Sequence, residues 1–306
     1  MGRVTENPSG TPRAADLRSG EWLDANRAHW DERVPIHVAS AFYDQAPLRA
    51  GVGRLTRVDE AELARLFPAA DGRFDLSGKR VLHLQCHFGA DTLTLAQRGA
   101  SVVGLDFSMA AIRQARQLAG ELQLSGQARF IASNLYDARH TLPEPESFDV
   151  IFTTWGTICW LPDIAEWARI AEWFLKPGGI LYFADSHPAA QVFEADPEHP
   201  DALPVFRYPH GDDTPDVYDE DSDYADENAV LQNTRGWEWA HPLSHTIGAL
   251  LAAGLSLDRL VEHDEVPWRM YPHLVPTGDG MYGWPAEKWL PLAVSLVASK
   301  PRSAAA

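Results

Sequence analysis

With 306 residues, of which 45% are hydrophobic, the chain is long enough for one enlarged globular domain or two small ones. Its formal net charge of −17 argues against nucleic acids and anionic membranes as partners, because binding to either requires basic patches. Two cysteines far apart in sequence give no disulfide framework, and there is neither a signal peptide nor an apolar run of the roughly eighteen residues that a membrane span needs, so we expect a cytoplasmic protein.

The N-terminal segment is predicted to form a leader and a cap. Residues 1–20 mix Pro, Gly, Ser, Thr and charges without periodicity, which predicts a disordered leader. Residues 21–57 form the predicted cap, in which the apolar positions from Glu21 to Tyr43 keep no single period and indicate a helix followed by a shorter element. A short helix over residues 58–67 opens the main domain, which we place at residues 58–302.

From residue 81 onward, apolar strands alternate with amphipathic helices. Strands are expected at Val81–Leu84, Ser101–Asp106, Ala128–Ala132, Phe148–Thr153 and Ile180–Ala184. Helices are expected at Asp91–Arg98, Met109–Leu122 and Pro162–Leu175, the last stopped by Lys176–Gly179. Elements of this length in this order imply right-handed crossovers and a parallel sheet.

The C-terminal end adds a helix over Ser244–Ala253 and strands over Leu255–His263 and Leu290–Ser299. No helix of crossover length separates these two strands, so they most simply pair antiparallel. The predicted fold is therefore an α/β, doubly wound, mostly parallel seven-stranded sheet with an antiparallel last strand. Residues 188–240, after the fifth strand, lack a helical period and form a predicted inserted lid.

The lid contains an acidic run in which Asp219, Asp221 and Asp223 briefly imitate a calcium-binding loop. Tyr224 stands where such a loop needs Gly, and Val230 stands where it needs Glu. We therefore expect no metal site, and the charges indicate a solvated, mobile lid edge.

The turn after the first strand carries the main functional signal. Residues 85–90 connect that strand to the next helix, and in an open α/β sheet ligands bind in the crevice beyond the carboxyl ends of such strands. Backbone N–H groups of the turn and the helix start favour anionic groups there. About seventeen positions after Gly89 the second strand ends at Asp106, whose carboxylate can accept hydrogen bonds from both hydroxyls of a ribose.

These residues resemble the class I methyltransferases that use S-adenosylmethionine. Leu82–Asp91 stands in the place of the family's glycine-rich first motif, and Gly104–Ser108 stands in the place of the second. The run LQCHFG is most similar to that of a bacterial small-molecule branch. The chain departs from the wider family at His83, where an acid normally ends the first strand, and at Gln85 and His87, which replace two customary glycines.

The resemblance implies that S-adenosylmethionine is the cofactor and that the crevice holds it. The turn Gln85–Ala90 would bear the methionine end through backbone contacts, and Asp106 would hold the ribose. Phe107 and Met109 would line the adenine slot, and residues 134–135 would contact the adenine edge. The implied cofactor-binding residues are Trp30, Gln85, Cys86, His87, Gly89, Asp106, Phe107, Met109, Asn134, Leu135 and Thr154. No metal ligand is assigned, since His83 and His87 flank Cys86 without a recognised ligand spacing.

The methyl acceptor is predicted to be a small aromatic or heterocyclic molecule of bacterial secondary metabolism, methylated at nitrogen or oxygen. Eleven tryptophans suggest a flat apolar pocket, although they can equally serve as lid packing. The candidate acceptor-binding residues are Tyr43, Trp155, Trp160 and His241.

A general base is useful if the acceptor must lose a proton, and histidine is the usual choice. His187, just past the fifth strand, is the first candidate, with His37 in the cap and His241 at the end of the lid as the others. Many methyltransferases work by proximity alone, so the base stays optional.

Two other functions are considered. An NAD-dependent oxidoreductase predicts a G-x-G-x-x-G turn, which is absent, and it leaves the terminal hairpin unexplained. A protein that binds S-adenosylmethionine without catalysis is compatible with the altered glycine motif. The oligomeric state is left open.

Overall fold

Helices and strands alternate through the computed structural model, which describes residues 17–195, 199, 203–211, 214–226 and 228–302. The helices are α1 Glu21–Ala39, α2 Ala46–Arg49, α3 Arg57–Leu66, α4 Ala90–Gln97, α5 Met109–Glu121, α6 Ala138–Thr141, α7 Ile164–Phe174 and α8 Leu243–Ala252. The strands are β1 Arg80–Leu84, β2 Ser101–Asp106, β3 Ala128–Ala132, β4 Phe148–Thr154, β5 Leu175–Ser186, β6 Phe193–Glu194, β7 Val205–Phe206, β8 Asp216–Asp219, β9 Arg235–Glu238, β10 Ser256–His263, β11 Glu265–Val266, β12 Val275–Gly278, β13 Met281–Gly283 and β14 Ala293–Ser299.

The main sheet of the described residues has seven strands in the order β10-β14-β5-β4-β1-β2-β3. Strands β1 to β5 pair in parallel, because a helix crosses over between consecutive strands. Strand β14 runs antiparallel to both of its neighbours, β10 and β5. The predicted doubly wound α/β sheet with an antiparallel last strand is therefore confirmed.

Two apolar cores lie on opposite faces of this sheet, because successive strand residues point to opposite sides. Leu82 of β1 packs with Trp167 of α7 and Leu250 of α8. Its neighbour Val81 belongs to the core on the other face, together with Leu93 of α4. Burying one such aliphatic side chain contributes about 1.5–3 kcal/mol, so burial on both faces holds the sheet between its two layers of helices.

Polar caps decide where several helices begin. The side chains of Thr56, Ser108 and Asp163 each accept a hydrogen bond from the N–H three residues further on, at the starts of α3, α5 and α7. Because Asp163 caps α7, the helix starts at Ile164 rather than at the predicted residue 162.

The boundary between α7 and β5 differs from the prediction. The helix ends at Phe174, and the strand begins at once with Leu175 and continues to Ser186. The register between β4 and β5 shifts within this stretch, where Gly178 has a φ of 82° and donates its N–H to the Lys300 carbonyl. The glycines therefore form a bulge within the strand, so the predicted strand start at residue 180 was wrong.

The cap and the lid pack against each other. The predicted leader lies outside the described residues as far as residue 16, whereas Leu17 is buried in the core. The hairpin of β8 and β9 in the lid packs against α1. The strands β11, β13 and β12 form a further small sheet in a segment that the sequence pattern left as loop. No α-helix in the described ranges combines the length and hydropathy that a membrane span requires.

Candidate active site

A cavity of about 1160 Å³ lies beyond the carboxyl ends of β1, β2 and β4. Gln85 follows β1, Asp106 ends β2, and Thr154 ends β4, and all three line it. The remaining walls come from α1, the lid, and the small sheet of β11, β13 and β12. Pockets for single small ligands measure about 300–1,000 Å³, so this cavity has room for a cofactor and a small second molecule.

The turn after β1 keeps an unusual backbone shape without the customary glycines. Gln85 and His87 have φ values of 58° and 50°, and Gly89 has 81°. A Cβ at Gly89 would lie 2.7 Å from Phe130 and 2.9 Å from Ala115, so only glycine fits there. A left-handed residue other than glycine costs about 1–2 kcal/mol, which the surrounding contacts must offset at positions 85 and 87.

Asp106 is fixed between this turn and the start of α5. Its Oδ2 accepts the His87 backbone N–H at 2.8 Å, and its Oδ1 accepts the Ser108 N–H at 2.9 Å. Burial raises the pKa of the Asp106 carboxyl to about 6, against the opposing effect of these N–H groups. Each carboxylate oxygen can accept a second hydrogen bond, so the group can bind hydroxyls in the cavity.

Gln85 presents an unsatisfied acceptor. Its Nε2 donates to the Thr157 carbonyl at 2.7 Å, while its buried Oε1 has no hydrogen-bond partner within the described part of the chain. Leaving a buried acceptor unpaired costs about 1–3 kcal/mol. A ligand donor in the cavity would satisfy this oxygen.

Two acids, buried Asp59 and half-buried Asp91, lie beside the cavity. Asp59 accepts hydrogen bonds from Trp155 Nε1 and from the Tyr182 hydroxyl, both at 2.7 Å. Burial raises the pKa of Asp91 to about 7, and the nearby Asp59 carboxylate raises it further. Asp91 lines the cavity at the first turn of α4, where a carboxylate is favoured by the helix dipole.

A chain of buried polar side chains joins the cap, the turn and the lid. His37 Nδ1 lies 2.8 Å from His87 Nε2, and His37 Nε2 lies 3.1 Å from Asp223 Oδ2. Arg33 Nε approaches the same Asp223 oxygen at 3.3 Å. Burial lowers the pKa of His87 well below its usual value, and His37 lowers it further. His37 has no solvent-exposed surface and does not line the cavity, but it is hydrogen-bonded to His87 and stacks on Tyr43, which both do.

Most of the residues predicted for the cofactor and the acceptor line the cavity. These are Trp30, Gln85, Cys86, His87, Asp106, Phe107 and Thr154 for the cofactor, and Tyr43, Trp155 and Trp160 for the acceptor. Gly89 does not line the cavity but lies in the turn against Phe130.

Of the four residues predicted at the adenine, Phe107 lines the cavity and the other three do not. Met109 is 44% exposed at the start of α5, and Leu135 is buried in the core. The Asn134 side chain accepts the Tyr136 N–H and donates to the Leu17 carbonyl, so its polar atoms are used within the protein.

Two of the predicted bases lie away from the cavity lining. His187 Nδ1 accepts the Ala189 N–H, and its Nε2 lies 3.2 Å from Glu262 on β10. His241 Nε2 donates to the Leu161 carbonyl beside a second, smaller pocket. Position in the sequence placed both near the site, but their side chains point elsewhere.

Sequence reasoning missed Arg33, Asp91 and Asp223. A signal was present in α1, where His29, Arg33 and His37 recur every four residues and so share one helix face. Asp223 was interpreted as part of a solvated lid edge, whereas its side chain is buried. In the described ranges, no group of three or more His, Cys, Asp or Glu side chains is arranged to hold a metal ion.

Comparison with known proteins agrees with this architecture. Residues 81–179 match the family model described as a methyltransferase domain. The ubiquinone biosynthesis O-methyltransferase of Ralstonia nicotianae is 34% identical over 118 residues, which are 39% of this chain and 48% of that protein. The chain thus spans about half the length of this curated relative.

Two solved structures share the fold. An S-adenosylmethionine-dependent methyltransferase from Mesorhizobium loti aligns with a TM-score of 0.51 at 17% identity, over 78% of this chain and 95% of that one. The cyclase SpnF aligns with a TM-score of 0.54 at 15% identity, over 97% of this chain and all of the other. At these identities the likeness shows the class I methyltransferase fold and leaves the reaction open.

Proposed function

We propose that this chain is an S-adenosylmethionine-dependent methyltransferase that acts on nitrogen or oxygen of a small molecule. The observation that carries the proposal is the arrangement of Asp106 and the turn Gln85–Gly89 around one cavity at the carboxyl ends of the parallel strands. The match of residues 81–179 to a methyltransferase domain supports it. The resemblance of the LQCHFG run to a bacterial small-molecule branch of the family supports a small-molecule acceptor.

The residues present fit the cofactor. Asp106 would accept the two ribose hydroxyls, and the N–H groups at the start of α4 would face the carboxylate of the methionine end. The unpaired Oε1 of Gln85 would accept from the ammonium group beside that carboxylate. When bound, S-adenosylmethionine supplies a methyl group that is activated by the positive charge on sulfur. The protein mainly positions the acceptor and excludes water.

The acceptor side of the cavity supports an aromatic or heterocyclic molecule. Its lining includes Trp155, Trp160, Trp239, Trp268 and Tyr218, which come from four separate segments of the chain. Flat aromatic walls favour flat ligands, and a ring face stabilises a nearby cation by about 0.5–2 kcal/mol. The curated relative from Ralstonia is named an O-methyltransferase, which supports oxygen as one possible methylated atom.

Calorimetry with S-adenosylhomocysteine tests the cofactor site. The wild-type protein is expected to bind it and not to bind NADH. Asp106→Asn is expected to weaken binding of S-adenosylhomocysteine at least about tenfold, since one lost pair of charge-assisted hydrogen bonds is worth about 1.5–3 kcal/mol. Asp163→Asn is the matched control, because Asn also caps α7 and Asp163 does not line the cavity. A wild-type protein that does not bind S-adenosylhomocysteine would refute the proposal.

A second candidate function is binding of the cofactor without methyl transfer. The structural match to a protein named a cyclase supports this candidate, because it indicates that the fold does not by itself imply methyl transfer. Label transfer from S-adenosylmethionine to a panel of phenols, azoles and amines separates the two. Binding of S-adenosylhomocysteine with no labelled product across the panel would favour the second candidate.

A further inference from the structure

We infer that His87 is the general base of this site and that His37 and Asp223 hold it in the tautomer that can accept a proton. The inference rests on the proposed methyl transfer and adds a substrate class to it. The acceptor atom then carries a proton that it loses, as in a hydroxyl group or a ring N–H, rather than being a tertiary amine.

The tautomer follows from which atoms can donate. The Asp223 carboxylate, held ionised beside Arg33, can only accept, so His37 Nε2 carries the hydrogen between them. In a neutral ring His37 Nδ1 is then an acceptor, so the hydrogen in the contact between the two histidines sits on His87 Nε2. This leaves the lone pair of His87 Nδ1 free.

His87 Nδ1 is available to a ligand. It makes no hydrogen bond within the described part of the chain, and it is not a fully buried atom. It is therefore open to the cavity that His87 lines. The backbone N–H of the same residue is bound to Asp106, which fixes the position of the ring relative to the cofactor site. The ring also packs edge-on against Trp30 and Tyr43, at centroid distances of 5.4 and 5.7 Å.

The surroundings keep the ring neutral before reaction and tolerate its charge afterwards. Burial and His37 lower the pKa of His87, while Asp223 opposes them. Arg33 contacts the carboxylates of both Asp223 and Glu220, so its positive charge offsets part of their negative charge, and the remaining negative charge favours a protonated ring nearby. The phenols of Tyr43 and Tyr224 bond to each other, and burial raises the pKa of both, so they add no charge.

The step balances without any further reagent. With the cofactor bound, a bond would form between the acceptor oxygen or nitrogen and the methyl carbon, the bond from that carbon to sulfur would break, and its electron pair would stay on sulfur. The proton of the acceptor atom passes to His87 Nδ1. The positive charge is then shared through the Nε2 hydrogen with His37, whose other nitrogen is bound to Asp223.

The backbone at His87 supports a functional role. This position has a φ of 50°, where glycine costs nothing and histidine costs about 1–2 kcal/mol. A strained backbone of this kind persists only where the surrounding contacts hold it, and such positions cluster at functional sites. His37 and Asp223 do not line the cavity, so we regard them as positioning residues and His87 as the catalytic residue.

Nitrogen-15 NMR of histidine-labelled protein with S-adenosylhomocysteine tests the tautomer without knowing the acceptor. We expect His87 to show a protonated Nε2 and an unprotonated Nδ1, and Asp223→Asn to shift both histidines toward a mixture of tautomers. A protonated Nδ1 in the wild-type protein would overturn the inference. His245→Asn, on the exposed face of α8, is the control that should leave these signals unchanged.

His87→Asn then tests the role in turnover. Asparagine tolerates this backbone conformation and keeps the N–H that binds Asp106, but it cannot accept the proton. We expect retained S-adenosylhomocysteine binding and a kcat about 10²–10⁴-fold lower for phenols and azoles, with KM changed much less. Wild-type turnover by this variant, or transfer confined to tertiary amines, would overturn the base alone. Binding of S-adenosylhomocysteine by the wild-type protein with no transfer to any panel member would overturn the proposed methyl transfer, and the base with it. Failure of the wild-type protein to bind S-adenosylhomocysteine would instead overturn the proposed function.

Discussion

Replacing Gly89 by alanine tests the shape of the turn that underlies the cavity. Gly89 has a φ of 81°, and a Cβ built on it would lie 2.7 Å from Phe130 Cε1 and 2.9 Å from Ala115 Cβ. Phe130 and Ala115 are both buried, and the Ala115 Cβ is fixed to its helix, so neither can move aside easily. The turn therefore has to move or the core has to be strained.

The cost can be worked out as two terms. The left-handed backbone costs a non-glycine residue about 1–2 kcal/mol, and an extra methyl forced into a packed core costs about 1–3 kcal/mol. Gly89→Ala should therefore lower the free energy of unfolding by about 2–5 kcal/mol. Gly72→Ala is the matched control, because its φ is also 81° and nothing lies within 4 Å of the added Cβ. It should lose only the backbone term.

Urea unfolding measures both losses, provided that the m-values of the variants match that of the wild-type protein. We expect Gly89→Ala to lose at least about 1 kcal/mol more than Gly72→Ala, and this difference is the steric term. Calorimetry should show weaker binding of S-adenosylhomocysteine in Gly89→Ala alone, since the turn also positions the N–H that binds Asp106. Equal losses of stability in the two variants would refute the reasoning, because Phe130 and Ala115 would then not confine the turn.

Three further predictions follow from buried charges and hydrogen bonds. Burial raises the pKa of Asp106 to about 6, so the ionised acceptor exists above that pH and is lost below it. The affinity for S-adenosylhomocysteine, measured by calorimetry, should therefore fall up to about tenfold per pH unit below about 6. The same dependence of affinity on pH in Asp106→Asn would show that another group causes the effect. Asp223→Asn should cost up to about 3–5 kcal/mol in urea unfolding, because it removes the fully buried one of the two carboxylates that buried Arg33 contacts. Asp219→Asn, in a half-exposed pair with Arg235, should cost at most about 1 kcal/mol. Trp155→Phe removes a donor from buried Asp59 and should cost about 1–3 kcal/mol, and a loss no larger than that of the exposed Trp289→Phe would contradict it.

Local sequence features were sufficient to predict where the crevice lies. The alternation of Val81 and Leu82 between two cores, and the end of β2 at Asp106, are set by side chains a few residues apart. The turn was identified although two of its glycines are replaced, because the apolar run before it and the helical spacing after it do not depend on them. The bulge in β5 was missed, because the same glycines that stop a helix also fit a bulge.

The sequence pattern did not predict the direction in which the side chains point. His187 follows the fifth strand, as the base prediction required, but its imidazole lies beside Glu262 of β10 instead of lining the cavity. Asn134 stands at the expected strand end, but its amide is bound to the Leu17 carbonyl. In both cases the position along the chain fixes where the Cα lies, while packing from distant segments fixes where the polar atoms point.

The amino-acid sequence by itself determined the layered α/β fold, the antiparallel last strand and the two ends of the crevice, because hydrophobic period and turn chemistry act over a few residues. Only the tertiary structure brought His37 to His87, 50 positions away, and to Asp223, 186 positions away. Burial in a low-dielectric interior makes each of these groups need a specific partner, and which partner is within reach depends on how the lid folds back over α1.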